Sequence, residues 1–452
     1  MPLYVNGTYH LYYLQKNDKY FSYAHLSSKD MLFWEEHEDA LVPEKEGLLD
    51  GFLMTGCVVF YKNKYYLFYT GAGKDDSLNM LLAISDDGLL FKKENKILFR
   101  RNKYYSNDDT FRDMDVFFDQ QSNMFHMVFC AKTPYNENNS LTGCIGHAVS
   151  KDLINWKLLK PLWTPGIGYC LECPQLTKLD TKYALIYYWH DTNIRIANSL
   201  SGKFKKTAIE DVNGFDYMAA KTLNDGKGII SFGFIPDKDC DCKKRTWGGT
   251  LAIPREIYLK NNAVYSKFID EIYDFFKSDS KKANFNNIVD VNKNVTTYQN
   301  NIACLPKDKS SLVVFNECDD NYYLKTNLKV SNKNAKVTFL IRTNKDDSRN
   351  YKTSIDEGYQ IIIDFAKRIL SIREHYMFDQ RPDLATMPLF VKNSSVLLEV
   401  VVDKDIIEIA IDKKYSMVYR MLKHTKSGSL AILVQDSKVV LEDFVIKEIN
   451  DN

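Results

Sequence analysis

One form of sequence recurs four times in the first half of the chain, and it restricts the fold more than any other feature. The copies are "YVNGTYHLYYLQ" (4–15), "FYKNKYYLFYTG" (60–71), "FDQQSNMFHMVFCA" (118–131) and "LDTKYALIYYWH" (179–190). Each is a strand, a polar turn and an aromatic strand, so each reads as a β-hairpin, and the spacing is roughly 60 residues. A second unit follows every hairpin: "YAHLSSKDMLFWEEH" (23–37), "LAISDDGLLFKKE" (82–94), "HAVSKDLINWKLL" (147–159) and the looser "IRIANSLSGKFKKT" (194–207). Here a strand runs through a Ser-x-Asp or similar turn into an outer aromatic strand. Four strands per repeat are the content of a propeller blade. A fifth, degenerate copy is carried by "GIISFGFIP" and "GGTLAIPREIYL" between residues 228 and 260. The pattern predicts an all-β chain that begins with a five-bladed β-propeller over 1–265.

The texture then changes. "SKFIDEIYDFFKSDSKKANF" (266–285) carries Phe268, Ile272, Phe275 and Phe276 at helical spacing, which predicts a short helix within a linker over 266–295. From 296 to 452, segments such as "AKVTFLIRT", "GYQIIIDFA", "SSVLLEVVVD" and "GSLAILVQD" alternate with turn residues at the spacing of a β-sandwich. The 29 tyrosines and 26 phenylalanines suit such a strand-rich chain.

Several function classes are disfavoured at once. A net charge of +1 gives no electrostatic footprint for nucleic acid, and the longest apolar runs are strand-length, well short of the roughly 20 residues of a membrane helix. The opening "MPLYVNGTYH" lacks the basic start and apolar core of a secretory signal, and the nine cysteines have no framework spacing. A cytoplasmic setting is expected. Cys170 and Cys173 stand in a Cys-x-x-Cys within "YCLECPQL", but no second knuckle of the right spacing completes a zinc site, Cys240 and Cys242 being one residue too close. Strand-like sequence on both sides also denies Cys170 and Cys173 the strand-to-helix context of a thioredoxin-like pair. No metal and no cofactor is expected.

The Ser-x-Asp turns read as structural, their side chains satisfying turn backbone groups. Function should come from stretches that break the repeat. Three do: "NDDTFRDMDVFF" with Arg112 and Asp113, "YCLECPQL" with Glu172, and "NGFDYMAAKT" with Asp216 and Tyr217. All three precede a hairpin at the same phase, which in a closed propeller means the same end of the central channel. Carboxylates converging there with an arginine suit glycoside chemistry, which needs one protonated acid and a second carboxylate across the scissile bond. On spacing alone, a turn salt bridge between Arg112 and Asp113 and a loop role for Glu172 remain equally open.

At these residues the chain resembles glycoside hydrolase family 32, the invertase and fructanase group, over nearly its whole length. "FRDMDVFF" is similar to the family's Arg-Asp-Pro signature, "LECPQL" matches its Glu-Cys-Pro signature, and "GFDYMAAKT" followed by "WGGTLAIPRE" resembles its approach to the fifth blade. The resemblance implies a propeller followed by a β-sandwich, acting on sucrose or a fructo-oligosaccharide by a retaining mechanism. It implies Glu172 as general acid/base and Asp113 as stabiliser of the oxocarbenium-like transition state. It gives Arg112 the task of orienting the carboxylates, and places Asp216, Tyr217 and Trp247 at the sugar. Cys173 then packs beside the acid or tunes it. Glu172 is expected to have a raised pKa, whereas Asp113, next to Arg112, is expected to stay ionised.

Two departures from the family matter. Met114 stands where the family has proline, which leaves the turn at Asp113 less rigid. The nucleophile belongs to an Asp-Pro motif whose expected position lies two residues before Met1, so none is assigned in this chain; Asp18, Asp30 and Asp50 are weak substitutes. A catalytically inactive fructoside-binding relative of the same fold is the alternative. The sequence does not choose among sucrose, inulin, levan or a phosphorylated disaccharide, nor does it set an oligomeric state.

Overall fold

The computed structural model describes residues 1–449 apart from 18–19, 45–48, 76, 109, 135–141, 168–169, 208–212, 215, 240–244, 279–287, 307–309, 319–320, 344–356, 377–380, 390–393 and 423–427. Asp18, Cys240 and Cys242 lie outside the described residues, as does the side chain of Trp247.

Five antiparallel sheets form the blades. Blade 1 is Pro2–Val5, Thr8–Lys16, Phe21–Ser28 and Trp34–Leu41; blade 2 is Phe52–Tyr61, Lys64–Ala72, Leu78–Ser85 and Lys92–Lys93. Blade 3 is Arg112–Asp119, Met124–Thr133, Thr142–Ser150 and Trp156–Leu158; blade 4 is Glu172–Leu179, Lys182–Trp189, Asp191–Ala197 and Lys205–Lys206. In blade 5, Met218–Asn224, Ile229–Lys238, Arg255–Lys260 and Ala263–Phe268 follow in order, and Arg245–Leu251 pairs beside Ile229–Lys238 as an extra strand.

Local chemistry accounts for the hairpins. In blade 1, Val5 pairs with Thr8, leaving Asn6 and Gly7 as a two-residue loop with φ of 49° and 80°. Asn-Gly tolerates positive φ at both positions, and that turn has the twist two antiparallel strands require. Lys62–Asn63 and Asn261–Asn262 make the same kind of turn, again with positive φ throughout. The Ser-x-Asp turns are structural, as read. Asp30 accepts hydrogen bonds from the amides of Leu32 and Phe33, and Asp152 from those of Ile154 and Asn155, while the indoles of Trp34 and Trp156 donate to Met31 O and Leu153 O.

Apolar clusters fill the seams between blades. Tyr12, Tyr23, Leu67 and Tyr69 pack between blades 1 and 2, Phe68, Met114, Met127 and Phe129 between blades 2 and 3, and Val128, Leu176, Tyr183 and Leu185 between blades 3 and 4. Each such side chain contributes about 1.5–3 kcal/mol through burial. The first strand of every blade faces the axis, where the five enclose a cavity of about 510 Å³ whose lining includes Leu3, Val58, Asp115, Gln175 and Lys221.

The chain divides into two compact units. The first comprises Met1–Asp211, Met218–Gly233 and Pro254–Tyr265; the second comprises Val212–Tyr217, Phe234–Ile253 and Ser266–Asn452. The second unit contains a β-sandwich of two seven-stranded sheets, the first starting at Ile288–Asp290 and the other at Val295–Tyr298. Phe315 of one sheet stacks on Phe444 of the other at 5.3 Å between ring centroids. The helix runs Asp270–Ser278, shorter at its start than the spacing predicts because Phe268 ends a strand. It buries Ile272, Tyr273 and Phe276 and leaves Phe275 exposed. Phe276 stacks on Tyr323 at 4.3 Å, and the Tyr273 hydroxyl donates to the buried Glu399.

Candidate active site

Arg112 and Glu172 each open the axial strand of their blade, and both strands are irregular at that point. In blade 3, Val128 pairs with Asp115 and Cys130 with Arg112, so Asp113 and Met114 together oppose Phe129 alone. In blade 4, Glu172 pairs with Tyr188 and Gln175 with Ile186, so Cys173 and Pro174 oppose Tyr187. These are β-bulges, which bend a strand and re-aim its side chains. Asp113 and Cys173 adopt φ of 60° and 48°, as does Ala219 at 47° in the same place in blade 5. Non-glycine residues rarely adopt positive φ, and such strain concentrates at functional sites.

The bulges bring three predicted residues together. Arg112 Nη2 donates to Glu172 Oε1 at 2.6 Å, and Arg112 Nε stands 3.6 Å from Asp113 Oδ2. Asp113 Oδ2 also accepts from the Cys173 backbone N–H at 3.2 Å, with the Cys173 thiol at 3.9 Å. The Asp113 amide in turn donates to Thr70 Oγ1 of blade 2 at 3.2 Å. Met114, fully buried, packs into the seam between blades 2 and 3. Asp113 is therefore placed by Thr70, Cys173, Arg112 and the packing of Met114, without the proline. The Glu172 side chain retains 31% exposure and Asp113 only 6%, so Glu172 is the carboxyl a solute can reach.

Electrostatics separates the two acids less than the sequence suggests. Burial raises the Glu172 pKa; Arg112 opposes the rise and Asp113 adds to it. Burial also raises the Asp113 pKa, against Arg112, the Cys173 N–H and Lys221. For Asp113, removal of the carboxylate from water thus outweighs the one adjacent cation. Cys173 is pushed up by burial and then by Asp113, which keeps it a thiol.

A buried polar group that sequence reasoning missed lies behind these acids. Lys221 Nζ stands 3.4 Å from Asp115 Oδ1 and donates to Pro174 O at 3.2 Å, tying the axial strands of blades 3, 4 and 5. Gln175 joins them, donating to Thr222 O at 3.0 Å and accepting from the Thr222 amide at 2.7 Å.

Asp216 and Tyr217 belong to the second unit and are fully buried there. Lys238 Nζ lies 2.5 Å from Asp216 Oδ2, Arg245 Nη2 3.4 Å from Oδ1, and the Arg420 amide donates to Oδ2 at 3.0 Å. Arg420 itself faces Asp405 at 2.5 Å and Asp237 at 3.4 Å, so three cations meet three carboxylates. Trp247 lies in the strand Arg245–Leu251. Of the substitute acids, Asp30 is occupied by turn amides, and Asp50 is buried against Lys93 at 2.6 Å and the Tyr69 hydroxyl at 3.0 Å.

The Cys-x-x-Cys does not close on itself. Cys170 is disulfide-bonded to Cys130, and Cys173 is free and buried. Nothing in the spacing of 40 residues points to that pairing.

The Glycosyl hydrolases family 32 N-terminal domain matches residues 1–268. Among curated relatives, a sucrose-6-phosphate hydrolase of Bacillus subtilis is 26% identical over 322 residues, 62% of this chain and 64% of that protein. An invertase of Debaryomyces hansenii is 25% identical over 244 residues, 50% of this chain and 43% of that protein. The chain thus spans less than two thirds of the length of either. Among solved structures, sucrose-6-phosphate hydrolase from Lactobacillus gasseri superposes with a TM-score of 0.75 at 18% identity, covering 99% of this chain and 89% of that one. Exo-inulinase from Aspergillus awamori gives 0.74 at 17% identity, covering 99% and 95%. At these identities the structural likeness speaks for the fold. The match of the family domain to more than half of the residues, together with the Arg112–Asp113 and Glu172 motifs it spans, makes this chain a member of glycoside hydrolase family 32.

Proposed function

We propose that the protein hydrolyses β-fructosides, sucrose or a fructo-oligosaccharide, by a retaining two-carboxylate mechanism with Glu172 as general acid/base. The observation that carries the reading is the contact of Arg112 with a partly exposed Glu172 beside a buried Asp113. Burial favours the protonated form of Glu172, which donates its proton to the leaving-group oxygen as the glycosidic bond breaks. Asp113, its carboxylate aimed by Cys173 N–H and Arg112, stabilises charge developing on the sugar ring. The proton returns to Glu172 from the water that hydrolyses the fructosyl intermediate.

The sugar-binding roles of Arg112, Asp216, Tyr217 and Trp247 and a cytoplasmic location belong to the same proposal. Among the described residues near Asp216, Lys238, Arg245 and Arg420 face carboxylates. The test is fructose release from sucrose and inulin by the wild-type protein and by Glu172→Gln; equal rates would end the assignment.

A second reading, a fructoside-binding relative without turnover, draws on the commitment of Asp30 and Asp50 to other partners. It predicts calorimetric binding of fructose with no release from any fructoside.

A further inference from the structure

The disulfide Cys130–Cys170 plays no part in the proposed chemistry, yet it sits directly beside it. Cys130 is the cross-strand partner of Arg112 in blade 3, and Cys170 lies two residues ahead of Glu172 in blade 4. The covalent bond and the Arg112–Glu172 ion pair therefore cross the same seam side by side, each joining blade 3 to blade 4. Both sulfurs are buried, and among the described residues Cys57, Cys144, Cys173 and Cys304 are free thiols. Both strands are bulged here, and a bulge gives up ladder hydrogen bonds that would otherwise hold its residues in register.

We propose that the Cys130–Cys170 disulfide is a strut that positions Glu172 against Arg112, and that its reduction slackens the acid/base without unfolding the blades. The inference rests on the reading of Glu172 as acid/base. Cys130 and Cys170 are positioning residues, since neither sulfur touches the reacting atoms. Reduction requires a dithiol. One reagent thiolate attacks Cys170 Sγ, the bond to Cys130 breaks, and Cys130 leaves as a thiolate that takes up a proton. The second reagent thiol resolves the mixed disulfide, releasing Cys170 as a thiol and the reagent as its cyclic disulfide, two electrons having passed to the protein. Disulfides persist in oxidising compartments, and in reducing ones they are commonly catalytic or redox-sensing.

The consequence is a change in the acidity of Glu172. The charged groups acting on it are Arg112 and Asp113 from blade 3; Cys173 on its own strand is a neutral thiol, and Lys221 from blade 5 acts on its neighbours Asp113 and Cys173. Arg112 favours the ionised form of Glu172, so a looser contact raises its pKa.

The experiment begins with peptide mapping under non-reducing conditions, which should recover a cross-linked peptide joining Cys130 to Cys170. The Glu172 carboxyl is then titrated by infrared difference spectroscopy, with Glu172→Gln identifying its band. Oxidised protein, dithiothreitol-reduced protein and the double variant Cys130→Ser, Cys170→Ser are compared. Reduced wild type keeps the test open should the double variant fail to fold. Reduction should move the midpoint upward by about half a unit to one unit with near-ultraviolet circular dichroism preserved, and Cys304→Ser should leave it unmoved. Absence of the cross-linked peptide, or identical Glu172 titrations before and after reduction, overturns the proposal. Failure of the acid/base reading appears separately, as undiminished fructose release by Glu172→Gln.

Discussion

Arg112 spans the seam between blades 3 and 4 to reach Glu172, Nη2 to Oε1 at 2.6 Å, from an axial strand bulged at the very next residue. The guanidinium thus binds the exposed acid in front and lies near the buried Asp113 at 3.6 Å behind. One cation is shared by two carboxyls, both pushed toward protonation by burial.

If Glu172 is the proton donor, Glu172→Gln should lower kcat by about 10²–10⁴-fold, most severely for poor leaving groups, with the melting temperature little changed. Fructose release across a leaving-group series measures this. A chelator should change nothing, and loss of activity on chelation would contradict the two-carboxylate mechanism.

Asp113→Asn should reduce kcat by roughly 10²–10³-fold while changing fructose affinity far less, because its contact strengthens as charge develops on the ring. Steady-state kinetics together with calorimetry of fructose binding separates the two effects. Equal losses in both would make Asp113 a ground-state binding residue.

Arg112→Met should raise the pKa of both Glu172 and Asp113, since Arg112 lowers each. An acid catalyst works only while protonated, so the alkaline limb of the pH–rate profile should move to higher pH. The maximum rate should fall because Asp113 is then neutral over more of the range. A limb displaced to lower pH would show that Glu172 is not the group being titrated.

The second carboxylate of a retaining pair should stand about 5–5.5 Å from the acid. Asp30 and Asp50 are bound to turn amides and to Lys93, and among the described residues the charges acting on Glu172 are Arg112 and Asp113. Asp50→Asn should therefore lower fructose release far less than Glu172→Gln does, and equal losses would mark Asp50 as the second carboxylate.

A stability measurement tests the stacked histidines of blade 1. His10 Nδ1 and His25 Nε2 are 3.0 Å apart, and burial lowers their pKa values to about 4 and about 3. In the unfolded chain both titrate near 6.5, so the unfolded state takes up more protons once the pH falls below that value. Their contribution to stability is present above about pH 6.5 and declines as the pH falls toward the folded values, by about 1.4 kcal/mol per pH unit for the fully buried His25. Urea unfolding at pH 7 and pH 5 should show the decline, and His25→Gln should flatten it; an unchanged slope in that variant would assign the acid sensitivity elsewhere.

The all-β character and the blade count were legible in the sequence because they rest on local patterns. Asn6-Gly7 sets a turn by backbone preference, Asp30 and Asp152 mark blade turns with their own side chains, and "LECPQL" departs from the repeat at one phase. Phe268 ends a strand ahead of the helix, because its apolar spacing serves a strand end as well as a helix. What the tertiary structure alone decided involves partners far apart in the chain. Cys170 bonds Cys130 rather than its near neighbour Cys173, Lys221 pairs with Asp115 106 residues away, and Lys238 holds Asp216. The bulges at Asp113 and Cys173 arise from register between strands, which no single strand specifies. The raised pKa of Asp113 follows from the same cause: the sequence places Arg112 beside it, but only the folded blades remove the water, and that loss outweighs the adjacent charge.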